Sequence, residues 1–207
     1  MSTRLQVFVA TTNAGKKAEL AALFAGSPLD LVFPDALPAV EETGATYLEN
    51  AVLKARALAT ARGVLALADD SGLEVEALGG VPGVRSARYA GEDATDVLNR
   101  KKLLHEMRRH PAAYRKARFV CAMVLASPDG EVHSVEGECP GRIGTEERGA
   151  SGFGYDSIFW LPDFQKTMAE MDDVTKNRIS HRGKAAEKLI RLVWMLTAQG
   201  RIPLANP

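Results

Sequence analysis

The sequence predicts a mixed-sheet fold of the α/β or α+β class, and three observations support it. Short apolar runs rich in β-branched residues are interspersed with amphipathic helical segments along the chain. Asp129-Gly130 separates two apolar runs, which indicates a β-hairpin and so an antiparallel pair within the sheet. The length of 207 residues suits a single domain or a single domain in two lobes, since domains usually run to about 100–200 residues.

The first part of the chain predicts three strands and two helices. Thr46 and Glu49 form the pattern of a capping box, which opens the clearest helix of the sequence, and Gly63 ends it. The elements predicted here are strands over residues 5–10, 29–33 and 64–68 and helices over residues 16–24 and 46–62.

The second part predicts a turn-rich segment, a helix, the hairpin and a closing helix. Ala186, Leu189, Ile190, Val193 and Leu196 recur at helical spacing, which predicts the inward face of the last helix. The elements predicted here are helices over residues 95–109 and 183–199, strands over residues 118–126 and 131–139, and a strand that follows the glycine-rich loop at residues 151–157.

Composition and charge exclude several classes of protein. The net charge is zero, whereas broad binding to nucleic acid or to a membrane surface needs a basic excess. No apolar stretch approaches the ~18 residues of a membrane span, and the first residues do not form a signal peptide. Cys121 and Cys139 have no metal-ligand spacing and suit a reducing compartment. We therefore expect a cytoplasmic protein that binds neither nucleic acid nor membranes.

The stretch VFVATTNAGKKAEL, residues 7–20, predicts a strand, a small-residue turn and a helix. This order directs backbone N–H groups toward one point and favours an anion such as phosphate. It is not a P-loop, because Lys17 stands where the metal-binding Ser or Thr would be. An ordinary turn, with Asn13 as helix cap and both lysines in water, explains the same residues.

Carboxylates occur in two further stretches. EETG at 41–44 precedes the capped helix, on which Asn50 and Lys54 share one polar face. ADDSG at 68–72 places two aspartates directly after an apolar strand, where open α/β sheets bind ligands. Adjacent carboxylates there suit Mg²⁺ with a phosphate substrate, although a solvated helix face and an Asx turn are the simpler explanations.

Two late stretches carry an aromatic ring and further cations. In SGFGYDS at 151–157, glycines flank Phe153, which could stack on a planar base. In SHRGKA at 180–185, His181 and Arg182 precede a helix, and arginine can form paired hydrogen bonds with carbonyl or phosphate groups. A tight loop with core aromatics and a helix capped by Ser180 are the alternatives. Together with Lys176, these motifs predict Mg²⁺-dependent nucleoside triphosphate chemistry.

The motifs together resemble the inosine/xanthosine triphosphate pyrophosphatases, a family that removes non-standard purine nucleotides. The matching stretches, in family order between residues 11 and 185, are TTNAGK, EETGATYLENAVLKA, ADDSGLEVEALGGVPGVRSARYAGEDATD, GFGYDSIF and KNRISHRGKA. The resemblance implies an α/β fold with an elongated mixed sheet flanked by helices, and two lobes with a central active-site cleft. It also implies one pyrophosphatase domain over residues 1–207, a homodimer and the cofactor Mg²⁺.

The resemblance implies a role for each motif in splitting ITP, dITP or XTP into a monophosphate and pyrophosphate. Metal is expected at Glu41 and Asp70, and Asp70 is also expected to be the general base. Ser157 departs from the proline that is more frequent in the family after GFGYD, and we expect a slightly looser loop there. The expected substrate contacts are Thr11, Thr12, Asn13, Ala14, Gly15 and Lys16 at the triphosphate, with Lys54, Ser71 and Lys176, and Phe153, Gly154, Tyr155, Asp156, His181 and Arg182 at the base.

Two other functions fit part of this pattern. A nucleotide phosphatase, or a pyrophosphatase with another base preference, would use the same residue types and differ in products. A nucleotide sensor without activity would need the phosphate-binding cations and the base pocket but no metal-binding carboxylates. The pairing of Glu41 with Asp70 in the sequence favours the enzyme.

Overall fold

The structure, a computed structural model, describes residues 4–202, which form one seven-stranded sheet and five α-helices. The strands are β1 (Leu5–Val9), β2 (Leu29–Val32), β3 (Ala66–Val75), β4 (Lys116–Ala126), β5 (Val132–Ile143), β6 (Phe159–Leu161) and β7 (Lys166–Thr167). The helices are α1 (Ala14–Leu23), α2 (Tyr47–Arg62), α3 (Asp96–Met107), α4 (Asp173–Ile179) and α5 (His181–Ala198).

The sheet is mixed, with the strand order β2-β1-β3-β4-β5-β6-β7. β1 pairs in parallel with both β2 and β3, whereas β6 is antiparallel to β5 and to β7. β4 and β5 are neighbours joined by a short turn, in which the Ser127 N–H donates to the Glu131 carbonyl at 2.9 Å. The predicted mixed α/β fold and the hairpin at Asp129-Gly130 are therefore confirmed.

The chain forms two compact units, each built from separate stretches of sequence. Unit 1 comprises residues 4–70, 121–137 and 182–202, and unit 2 comprises residues 71–120 and 138–181. The strands β3, β4 and β5 each contribute residues to both units.

Each unit has its own apolar core. In unit 1, α5 buries Ala186, Leu189, Val193 and Leu196 against β1, β3 and β4, which confirms four of the five residues predicted for its inward face, and Ile190 is partly buried there. In unit 2 the core includes Leu73, Leu103, Met107, Phe119, Phe159 and Met168. Each fully buried large apolar side chain stabilises the fold by about 1.5–3 kcal/mol relative to exposure.

Local sequence signals set the helix ends. Thr46 and Glu49 form the predicted capping box of α2, and Gly63 follows the helix in the left-handed conformation. The side chain of Asn13 accepts a hydrogen bond from the Lys16 N–H at 2.9 Å, so α1 begins at Ala14, two residues earlier than predicted. None of the helices within residues 4–202 is long and apolar enough to cross a membrane.

The prediction is wrong for one strand, and two short elements were not predicted. The strand predicted over 64–68 begins at Ala66 and continues to Val75, so Asp69 and Asp70 lie inside β3 rather than beyond its end or in an Asx turn. The strand continues because both carboxylates have cationic partners and Leu73 and Val75 enter the core of unit 2. The two-residue β7 and the seven-residue α4 are too short for a periodic signal and were not predicted.

Candidate functional site

The residues predicted to bind ligands fall into two sets, one in each unit. Unit 1 contains residues 11–16, the acidic loop at 41–44, Lys54, Asp70 and Arg182. Unit 2 contains Ser71, the loop with its aspartate at 153–156, Lys176 and His181.

The turn between β1 and α1 has the geometry of a helix N-terminus. The hydroxyl of buried Thr11 accepts a hydrogen bond from the Asn13 N–H at 3.3 Å, and Asn13 in turn caps α1. Thr12, Asn13 and Ala14 are exposed, and Gly15 is half-buried. The positive end of the α1 dipole therefore faces an accessible turn, which suits an anion.

Asp69 is fully buried in β3 and has three polar partners. Lys16 forms an ion pair with its carboxylate, and the Lys16 Nζ also donates to the Asp69 carbonyl at 3.3 Å. Arg182 Nε donates to Asp69 Oδ2 at 3.1 Å, and Cys121 Sγ lies 2.9 Å from the same oxygen. Burial alone would raise the pKa of Asp69, but Arg182 and Lys16 outweigh it and hold that pKa well below its usual range.

Arg182 lies in this network rather than at an exposed surface. Its side chain is 2% exposed, and its Nη1 donates to Glu19 at 2.5 Å. Burial opposes its charge, yet Asp69 and Glu19 raise its pKa above the ordinary value. The guanidinium is thus held between two carboxylates of unit 1, and its expected contact with a purine base stays a prediction.

Asp70 follows Asp69 in β3, and strand geometry directs its side chain to the opposite face of the sheet. Lys54 Nζ, from α2, donates to Asp70 Oδ1 at 2.7 Å and lies 3.3 Å from Glu42 Oε1. Burial raises the pKa of Asp70 despite the opposing effect of Lys54. Burial lowers the pKa of Lys54, but the carboxylates of Asp70, Glu42 and Asp69 together outweigh burial and raise that pKa above its ordinary value.

Of the two glutamates in the acidic loop, Glu42, which we did not predict, pairs with Lys54, while the predicted ligand Glu41 is exposed. The acidic loop is held by Asn50, whose Oδ1 accepts from the Gly44 N–H at 2.8 Å. Asn50 is 1% exposed, so its shared face with Lys54 is a buried anchor and not a solvated surface. The spacing of four residues between Asn50 and Lys54 was the only sequence signal that placed them on the same helix face.

In unit 2, the loop containing Phe153 is organised by Asp156. Asp156 Oδ2 accepts from the Phe153 N–H at 3.1 Å and from Lys176 Nζ, on α4, at 2.6 Å. The Lys176 ammonium lies 5.5 Å from the centroid of the Phe153 ring, within cation–π range. Glycine is favoured at position 152, because its φ is +78° and a Cβ there would displace the ends of the Asp156 and Lys176 side chains.

Tyr155 and His181 are buried parts of this unit. The Tyr155 hydroxyl donates to the Ser86 carbonyl at 2.8 Å, and the Ser86 hydroxyl accepts from the Leu73 N–H at 2.8 Å. The His181 ring stacks on Phe119 with a centroid distance of 4.7 Å and an interplanar angle of 13°. Ser71, in β3, is half-buried.

An open pocket of about 170 Å³ lies beside the Phe153 loop within unit 2. Most of its lining residues are small, and one basic and two acidic residues lie among them. The lining residues are Arg100, Glu147, Gly149, Ala150, Ser151, Gly152, Phe153, Gly154, Asp156 and Ser157. Arg100 and Glu147 were not predicted, since no short motif connects them to the loop.

Comparison with known proteins gives one consistent result. The model of the Ham1 family matches residues 7–192. A dITP/XTP pyrophosphatase of Geobacillus kaustophilus is 52% identical over 188 residues, which cover 89% of this chain and 92% of the relative. One of Desulforamulus reducens is 46% identical over 192 residues, covering 91% and 96%.

Solved structures of similar fold come from the same family. A HAM1 protein from Coxiella burnetii superposes with a TM-score of 0.84 at 40% identity, covering 92% of this chain and 99% of that one. The Ham1 protein of Staphylococcus aureus has a TM-score of 0.80 at 39% identity, covering 92% and 98%.

Proposed function

The chain belongs to the Ham1 family, and from that premise we propose that it hydrolyses non-standard purine nucleoside triphosphates to monophosphate and pyrophosphate. ITP, dITP and XTP are the proposed substrates, and the names of the relatives support dITP and XTP. The observation that carries the proposal is the Lys54–Asp70 pair, a poorly solvated carboxylate held by an ammonium at 2.7 Å. Hydrolysis of a triphosphate needs both a base for water and cations for phosphate.

Asp70 is proposed to take the proton from the attacking water. Its side chain is 10% exposed, and its position is fixed by β3 and by Lys54, so it meets the requirement for a positioned general base. Water would attack the α-phosphorus, and pyrophosphate would leave. Lys16, Lys54 and the N-terminus of α1 are proposed to stabilise the charge on the leaving pyrophosphate.

Mg²⁺ fits the carboxylates of unit 1 as the proposed cofactor. Glu42 and Asp70 already converge on one cation, the Lys54 ammonium, and carboxylate oxygens are the ligands that Mg²⁺ prefers. Within residues 4–202 no group of three or more His, Cys, Asp or Glu side chains could hold a metal by itself. Mg²⁺ often binds through one or two carboxylates plus substrate phosphate. From the family resemblance we propose Glu41 and Asp70 as these ligands, while Glu42, next to Glu41, contacts Lys54. Bound there, it would neutralise phosphate charge.

Unit 2 is proposed to bind the purine. Phe153 would stack on the base, and donors such as the Lys176 ammonium, 5.5 Å from the centroid of the Phe153 ring, would meet the oxygen at C6 of inosine and xanthosine. Adenine carries an amine at C6 and would leave such donors unpaired, which disfavours ATP strongly. Ser71 is proposed to contribute a further contact to the substrate. His181 and Arg182 are proposed to contact the base, Arg182 from its ion-paired position.

The decisive experiment supplies ITP, XTP, GTP and ATP separately with Mg²⁺ and identifies the products. We expect pyrophosphate and the monophosphate from ITP and XTP, with slow turnover of ATP. Release of orthophosphate, or equal turnover of ATP, would contradict the proposal. Mg²⁺-independent binding without turnover would instead indicate a nucleotide sensor.

A cytoplasmic homodimer is the proposed working form. Both cysteines of the chain are buried and unbridged, which suits a reducing compartment. Sedimentation velocity over a range of protein concentrations tests the dimer, and a single monomeric species throughout would contradict it.

A further inference from the structure

Helix α3 holds the loop that carries Phe153 at the next residue, Gly154. Asp96 Oδ2 accepts from the Gly154 N–H at 2.7 Å, and Arg100 Nη1 donates to the Gly154 carbonyl at 2.9 Å. Asp96 and Arg100 are four residues apart and therefore lie on one face of the helix. Both backbone polar groups of one loop residue are thus bound by two side chains of the same helix.

A second pair of contacts fixes the guanidinium. Arg100 Nε donates to Glu147 Oε2 at 2.8 Å, and the Ser157 hydroxyl donates to the same oxygen at 3.1 Å. The planar guanidinium can bind Gly154 and Glu147 at once, which the single ammonium of lysine does less well. We call Asp96, Arg100, Glu147 and Ser157 the loop bracket.

The loop needs such support because its glycines leave the backbone little intrinsic preference. Gly152 and Gly154 both have positive φ, 78° and 59°, and they flank Phe153 directly. Asp156 fixes the N–H of Phe153, and the loop bracket fixes the next residue from the other side. The position of the Phe153 ring therefore depends on contacts that α3 supplies.

We propose that Asp96 and Arg100 are positioning residues that hold Phe153 at the height and tilt required for stacking on a purine. This inference rests on the proposed function of Phe153 as the base-binding residue. The loop bracket would then govern base affinity and base selection, and not the hydrolytic step. Ser157 takes part through its hydroxyl, which donates to the same Glu147 oxygen that accepts from Arg100.

Helix α3 does not depend on the loop bracket for its own stability. Leu103 and Met107 are fully buried in the core of unit 2. Asn99 accepts from the Ala90 N–H at 2.8 Å and donates to the Ala87 carbonyl at 2.9 Å. Loss of the Arg100 contacts is therefore expected to loosen the loop and leave the helix in place.

The test compares Arg100→Gln and Asp96→Ala with Arg118→Gln. Arg118 is a matched control, since it also contacts two carboxylates of unit 2, Glu74 and Glu138, but touches no residue of the loop. For Arg100→Gln we expect KM for ITP to rise about tenfold, equivalent to about 1.4 kcal/mol, with kcat nearly unchanged. The ratio of kcat/KM for ITP over ATP should fall, and Arg100→Lys should restore part of the affinity.

Two further measurements separate positioning from general damage. Inhibition by inorganic tripolyphosphate, which has no base, should be the same in all variants. Amide hydrogen exchange at residues 152–157 should be faster in Arg100→Gln and Asp96→Ala than in wild type and Arg118→Gln. An unchanged KM, an equal loss of tripolyphosphate affinity, or unchanged exchange would overturn the inference.

These readouts also separate this inference from the proposed function. If wild-type protein forms no pyrophosphate from ITP, the proposed function fails and the base-binding role of the loop bracket fails with it. If wild-type protein is active and Arg100→Gln behaves like wild type, only the inference about the loop bracket fails.

Discussion

The two units hold their candidate ligand-binding groups in different ways. In unit 1, Asp69 and Asp70 lie within the long strand β3, and their partners Lys16 and Lys54 come from helices. In unit 2, Phe153 lies on a glycine-rich loop and is positioned by hydrogen bonds to its neighbours. The strand fixes its side chains through its backbone pairing, whereas the loop requires side chains from elsewhere in the unit.

This difference suggests a division of tasks. Phosphate groups are the same in every nucleoside triphosphate, so a rigid, charged arrangement on regular elements serves all of them. Base identity must be distinguished, and a loop set by a few polar contacts can be adjusted by single substitutions. We therefore expect changes in unit 1 to affect turnover or stability and changes at the loop to affect KM and selectivity.

The largest effect is expected for Asp70→Asn. The amide has nearly the same shape but cannot accept a proton from water, so kcat should fall by about 10²–10⁴-fold. Nucleotide binding, measured by equilibrium dialysis, should remain detectable. Asp35→Asn, an exposed change in the same unit, is the control and should leave kcat unchanged. An active Asp70→Asn variant would refute the assignment of the base.

The next largest effect is expected on the free energy of unfolding, when substitutions of two arginines of α5 are compared. Arg182→Gln leaves buried Asp69 and Glu19 without their guanidinium, which should lower the free energy of unfolding by about 3–5 kcal/mol. Arg191→Gln removes an ion pair with Glu187 whose side chains are 77% and 61% exposed, and should cost at most about 1 kcal/mol. Urea unfolding of both variants measures the difference, and equal midpoints would contradict the structural role of Arg182.

A smaller effect is expected from the two neighbouring glutamates of the acidic loop. Glu41→Gln removes a proposed metal ligand, so the Mg²⁺ concentration for half-maximal activity should rise by more than about tenfold. Glu42→Gln removes only a contact to Lys54, and the rise should be smaller. Activity titrated with Mg²⁺ decides between them, and a larger effect for Glu42→Gln would transfer the metal role to Glu42.

The smallest effect is expected at Ser157. Ser157→Ala removes one hydrogen bond to Glu147, and KM for ITP should rise only about twofold, since such bonds contribute little net free energy. Ser134→Ala, an exposed serine of β5, is the control. A KM increase as large as that of Arg100→Gln would mean that Ser157, and not Arg100, dominates the loop bracket.

The sequence alone predicted the features of the fold that are determined by residues close together along the chain. The capping box of α2 and the hairpin at Asp129-Gly130 were correct because each is set within a few positions. The end of β3 was predicted wrongly because its two aspartates depend on distant cations: Lys16 is 53 residues from Asp69, and Arg182 is 113 residues away. No local pattern reveals such a partner.

The same limit applies to the candidate site. Most residues of the candidate site were identified from short sequence motifs. Their roles came from the family resemblance, and these roles stay predictions. Glu42, Asp96, Arg100 and Glu147 were missed because their significance lies in contacts across the fold. Arg100 lies 54 positions before Gly154 along the chain, so only the structure relates the two.

The discontinuous composition of unit 1 has a consequence for synthesis of the protein on the ribosome. Asp69 emerges 113 residues before Arg182, a delay of roughly 6–23 s at about 5–20 residues per second. Until then the nascent chain has neither the guanidinium that compensates this carboxylate nor the apolar face of α5. Unit 1 can therefore complete its folding only after α5 has been synthesised, and a chain truncated before α5 is expected to expose the apolar core of unit 1.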